Sequence, residues 1–193
     1  MGVSALSLPF ILLLLSVIAP NFLLEMKKII FESTTSDDSS LEQERIIYHE
    51  AGHFLVGYLC GVLIAAYDVS GENDAGTTIE LPHGENISAK SAHLMVTAIA
   101  GVVAETLRFG NAKGGVEDLP VIFEIMRIDR IKVSDRQGIL RWTAMKALNL
   151  LKMHRDELDE VAMLMKKQAD VHELILSVET MCDSWHVEKN AAY

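Results

Sequence analysis

His49-Glu50-Ala51-Gly52-His53 lies in the middle of a stretch, Leu41 to Leu59, that is otherwise rich in Ile, Leu, Phe and Val. No other feature constrains the fold as tightly. Ile46, Ile47, Phe54, Leu55, Tyr58 and Leu59 fall at helical spacing, which predicts one largely apolar, central helix. Ser39 or Ser40 can cap its start, Glu42 and Glu44 suit the positive end of its dipole, and Gly61 can end it. Two imidazoles and a carboxylate buried in such a helix without a joint partner would cost on the order of several kcal/mol. The fold must therefore bring them one.

The spacing says what that partner is. Residues four apart on a helix share a face, one turn apart. His49 and His53 can then grip a single metal ion, and Glu50, slightly offset, can reach a water that the ion activates. Zinc suits neutral imidazole with carboxylate. It makes water acidic enough to lose a proton near neutral pH. Glu50 would accept that proton and later give it to a leaving amine. Gly52 weakens the helix, so it needs a packing reason. A catalytic zinc also wants a third protein ligand. The candidates are His83 in a loop, His93 and Glu105 within a second helix, and Glu117 and Asp118 after a glycine-rich loop. Asp118 opens a helix, a good place for a carboxylate. Spacing alone does not choose among them.

The remaining pattern predicts a mainly α domain with a small β-hairpin. Val62-Leu63-Ile64 and Thr77 to Leu81 read as strands around the turn cluster Gly71 to Gly76, and Pro82 to Asn86 as loop. Ser88 to Phe109 reads as a second long helix. Its core face includes Leu94, Ile99, Val102, Val103 and Leu107. Ala98, Ala100, Gly101 and Ala104 are small enough for another helix to approach closely. After the loop Gly110 to Gly115, helical patterns resume near Glu117, from Ser134 to His154, from Asp156 to Lys167 and from Val171 to Asp183. Met145, Met153, Met163 and Met165 fall at helical spacings and read as core filler. Cys60 and Cys182 define no disulfide framework and read as two buried thiols. With 193 residues the chain suits one domain of ordinary size, and a net charge of -10 without any basic stripe argues against nucleic acid as a partner.

The N-terminus departs from this picture. Met1 to Leu24 holds no charged residue, and the apolar run from Leu6 to Leu24 is about long enough to cross a bilayer as a helix. Lys27 and Lys28 follow, which would keep the C-terminal side in the cytoplasm or its stromal or matrix equivalent. Pro9 and Pro20 limit the helix, and no Lys or Arg precedes the run, as a secretory signal would require. A membrane anchor is the first reading. A cleaved targeting segment and a buried helix of the domain are the others. The organisation expected is an apolar segment at 1–24, a polar linker at 25–40 that includes the acidic, Ser/Thr-rich Glu32 to Ser40, a domain at 41–183 and a tail at 184–193.

Four ordered features together resemble the peptidase domain of the FtsH-type zinc metallopeptidases. Ile46 to His53 resembles the zinc-site helix of that family. Ala100-Gly101-Val102-Val103-Ala104-Glu105 resembles its second signature, a small-residue helix ending in Ala-Glu. Gly114 to Leu119 resembles the segment that carries its third ligand, and Leu150 to Lys167 the helical pair that closes its domain. The likeness spans about Leu41 to Glu179. It implies that Asp118 is the third ligand beside His49 and His53, that Glu50 is the catalytic base, and that Glu105 is a structural carboxylate near the site. The family's ATPase has no counterpart here: no P-loop Gly-x-x-x-x-Gly-Lys-Ser/Thr occurs in the sequence. Tyr48 to Leu59 is similar to short, ATPase-free relatives of photosynthetic organisms, which implies a plastid membrane, thylakoid or envelope.

The leading expectation is thus a zinc endopeptidase for unfolded or membrane-associated polypeptides, without its own ATPase and served by a separate ATPase or FtsH-type complex. A homo-oligomer is among the assemblies the resemblance allows. The alternative is a non-proteolytic FtsH-like subunit or scaffold of a membrane protein assembly. Retention of Glu50 speaks against it, because a structural zinc has no use for a base.

Overall fold

A computed structural model describes residues 39–70, 76–80 and 87–191. The apolar segment 1–24, nearly all of the linker 25–40, the tip of the hairpin and His83 lie outside the described residues. The order of elements is α1 (Ser39–Leu59), β1 (Leu63–Asp68), β2 (Gly76–Glu80), α2 (Ile87–Phe109), α3 (Asp118–Ile128), α4 (Val133–Met153), α5 (Arg155–Lys166) and α6 (Val171–Ala191). The domain is mainly helical with a small two-stranded sheet, as the sequence predicts. Helix α6 runs on to Ala191, past the Asp183 at which its sequence pattern fades.

Gly61 ends α1 because it can take a positive φ of 68°. Its N–H bonds to the Tyr58 carbonyl and the Val62 N–H to the Gly57 carbonyl, each at 2.9 Å, which satisfies the last turn. The chain then reverses into β1. β1 and β2 pair antiparallel, with Leu63 opposite Glu80 and Asp68 opposite Gly76. That pairing hangs β2 beside α1.

Helices α1 and α2 are the centre of the domain. α3 and α4 pack on α2, α5 packs on α1, and α6 lies against α5 and β1. The α1–α2 crossing is lined by small residues, and Gly52 has its packing reason there. A Cβ at Gly52 would lie 2.6 Å from Ala104 Cβ and 2.7 Å from the Ala100 carbonyl oxygen. Phe54, Leu55, Ile122, Met126, Leu151, Met165 and Leu174 fill the core around this seam. Residues Lys90–Phe109 of α2 are long and apolar enough to span a membrane by length and composition. Most of that stretch is buried against its neighbour helices, so the core itself accounts for the apolarity.

Two expectations are corrected. Of the four methionines read as core filler only Met165 is fully buried; Met145, Met153 and Met163 are exposed. The buried stripe of α4 is Leu140, Thr143, Ala144, Ala147, Leu148 and Leu151, and Met145 and Met153 fall beside it. Cys60 and Cys182 are both partly exposed rather than buried.

Candidate metal centre

His49, Glu50 and His53 are all buried on the face of α1 that looks across α2. Each imidazole is fixed by its far nitrogen. His49 Nδ1 is 2.8 Å from Glu105 Oε1 and His53 Nδ1 is 2.8 Å from the Thr97 carbonyl oxygen. A carboxylate and a carbonyl oxygen can only accept, so both Nδ1 atoms carry the proton in these bonds. With Nδ1 so engaged, Nε2 is the nitrogen of each ring that could serve an ion, and the two lie 3.0 Å apart.

Asp118 completes the group. It is the first residue of α3, where the helix dipole favours a carboxylate. Gly115, with a φ of 89°, turns the chain into that start. Asp118 Oδ2 lies 3.1 Å from His49 Nε2, and Oδ1 lies 3.3 Å from His53 Nε2. The two Nε2 atoms thus stand 3.0 Å apart, and Asp118 reaches each ring through a different carboxylate oxygen, at 3.1 and 3.3 Å. Ligands held about 2.0–2.1 Å from one ion in a tetrahedron stand about 3.3 Å apart. The residues present therefore fit a small divalent ion, which they would hold at the wall of the cleft.

The electrostatics agree. Burial alone would lower the His49 pKa, but hydrogen bonds to the Asp118 and Glu105 carboxylates outweigh it and push it up to about 10. Burial would raise Asp118, yet its bonds to His49 and His53 hold it well below the usual carboxylate range. The point between the rings favours positive charge. A proton provides it, and a divalent cation would provide more.

Glu105, 1% exposed, does more than fill space. Besides His49 it accepts the Lys113 N–H at 2.9 Å and the Gly114 N–H at 3.1 Å, and the Arg45 guanidinium lies 3.4 Å away. Arg45 also donates to Asn111, at 3.2 Å to the carbonyl and 2.9 Å to the side-chain oxygen. One carboxylate thus orients an imidazole and pins the loop that leads to Asp118. Outer partners of this kind typically set about 10–100-fold in metal affinity. Glu105→Gln is expected to weaken divalent-metal binding by about that factor, read by competition with a chromophoric chelator, with helical content unchanged. Undiminished affinity would assign Glu105 to packing alone.

Glu50 is held separately. The Thr77 hydroxyl of β2 donates to Glu50 Oε2 at 2.8 Å, so the hairpin aims the carboxylate. Glu50, His49, His53, Asp118 and Thr77 line one cleft of about 410 Å³, which β2 flanks with Gly76 and Ile79.

Of the other third-ligand candidates, Glu105 binds the outer side of His49, Glu117 is exposed at the rim, and His93 is exposed on α2 and does not line the cleft. Sequence reasoning missed Thr77 and the Thr97 carbonyl. The first depends on hairpin register, and the second is a backbone group that any residue type would offer. No protein-family model matches the chain, and a search of curated proteins finds no match.

Proposed function

We propose that this chain is a zinc-dependent endopeptidase of the FtsH type that hydrolyses unfolded or membrane-associated polypeptides. One observation carries the reading: the two Nε2 atoms and the Asp118 carboxylate converge at 3.0–3.3 Å, each imidazole tied from behind. Groups this close need positive charge among them, which a proton supplies in part and a divalent ion would supply in full. His49, His53 and Asp118 would hold the zinc. When bound, the ion supplies Lewis acidity, polarising a scissile carbonyl and lowering the pKa of water.

The rest falls to the chain's own groups. Glu50 takes the proton of the attacking water and returns it to the leaving nitrogen. Thr77 keeps the carboxylate turned toward the cleft in both steps. β2 borders the same cleft, so an extended polypeptide lying there meets the base from one side. A scaffold role would not need a base held in this way. The apolar run from Leu6 to Leu24, with Lys27 and Lys28 after it, supports a membrane setting, a plastid membrane by the family likeness. A separate ATPase or FtsH-type complex would deliver substrates, and self-association is compatible with the reading.

The test is metal removal. The full chain should hydrolyse an unfolded polypeptide, lose that activity on chelation and regain it with added zinc. Hydrolysis that persists after complete removal of metal would end the proposal.

A further inference from the structure

A second group of ligand-type side chains stands apart from the cleft. His154 is the residue at which α4 ends and α5 begins, with φ −115° and ψ 45°. Glu157 lies in the first turn of α5, and Cys182 comes from α6. His154 Nδ1 is 3.2 Å from Glu157 Oε1, and Cys182 Sγ is 3.9 Å from the same oxygen. One ligand atom from each of the three lies within 4.8 Å of the others. Glu157 is buried, and among the described residues its ion-pair partner is His154 rather than a Lys or Arg. A carboxylate so enclosed needs good donors or a cation. A thiol is a weak donor.

We propose that His154, Glu157 and Cys182 hold a second divalent transition-metal ion, zinc by preference, which fastens α5 to α6. The donor set is one imidazole, one carboxylate and one thiolate. Its softness selects zinc over magnesium or calcium. The two negative ligands cancel the charge of the dication, which suits a partly enclosed place. Binding releases one proton, from the Cys182 thiol to solvent. The 3.2 Å nitrogen–oxygen separation already matches a shared zinc, whose tetrahedral edge is about 3.3 Å. The corresponding sulfur–oxygen edge is about 3.5 Å, so the observed 3.9 Å closes with a shift of a few tenths of an ångström. Three protein ligands leave one position to water, so the ion is held less tightly than in a closed four-ligand site. Peptide hydrolysis does not need this site, and the proposal stands apart from that reading.

The full chain loaded with cobalt(II) alone tests it. The cleft offers only nitrogen and oxygen ligands, so a thiolate-to-cobalt charge-transfer band reports on Cys182. The band is expected in the unaltered chain, in Cys60→Ser and in Gly101→Ala, and is lost in Cys182→Ser together with one metal ion per chain. Alkylation of the unaltered chain decides the matter if Cys182→Ser fails to fold. Zinc at about 100 times its dissociation constant should slow modification of Cys182 about 100-fold, with Cys60 as the internal reference. Absence of the band in the unaltered chain, or Cys182 alkylation indifferent to zinc, overturns the proposal and leaves a hydrogen-bonded trio.

Discussion

Glu50→Gln should reduce hydrolysis of an unfolded polypeptide by about 10²–10⁴-fold while the zinc of the cleft stays bound. The substitution removes the basic oxygen and little else. In the proposed site Glu50 is the base and not a ligand, and a Gln side-chain oxygen can still accept the Thr77 hydroxyl. Fold and metal content should therefore match the unaltered chain. That separation gives the experiment its force. Turnover measured beside metal analysis and thermal melting distinguishes loss of the base from loss of the site. Activity within a few-fold of the unaltered chain would remove Glu50 from the reaction and with it the peptidase reading.

Gly101→Ala should empty the centre while leaving the domain folded. A Cβ at this position would stand 2.5 Å from His49 Nε2 and 2.5 Å from His53 Nε2, the two atoms that must face the ion. The rings have no free direction to retreat, because Glu105 and the Thr97 carbonyl hold their far nitrogens. Alanine is the better helix former by about 1 kcal/mol, so α2 itself should not suffer. The expected loss of zinc affinity exceeds the roughly 10–100-fold of an outer-partner change. Hydrolysis should vanish with it. Calorimetric zinc binding equal to that of the unaltered chain would place the ion somewhere other than between these rings.

The parts of this site that could be read from the sequence are those within one helix. His49 and His53 share a face of α1, with Glu50 offset beside them, because a helix has a fixed period, and no tertiary knowledge is needed. The helices themselves followed from apolar periodicity, and the Gly52 seam from the small residues of α2. Asp118 is a different case. It lies 69 positions from His49, and nothing local selects it over Glu105 or Glu117. Only the family likeness singled it out, and the geometry now brings it to both rings. Glu105 was placed on the right helix, but its bond to His49 depends on how α1 crosses α2. The trio of His154, Glu157 and Cys182 was invisible for the same reason, since it exists only where α6 folds back on α5. The exposed methionines mark a further limit. Helical spacing identifies a stripe, but not whether a neighbour covers it.

The bonds of Glu105 bear on how fast an ion leaves the cleft. A ligand loop anchored only at its ends would let Asp118 swing off alone, and exchange would be rapid. Here the backbone at Lys113 and Gly114 shares one carboxylate with His49. With an ion bound as proposed, loop departure and ring reorientation would therefore be coupled. The consequence is a long residence time: dissociation should be slow and all-or-none, so that brief metal scarcity leaves the population loaded.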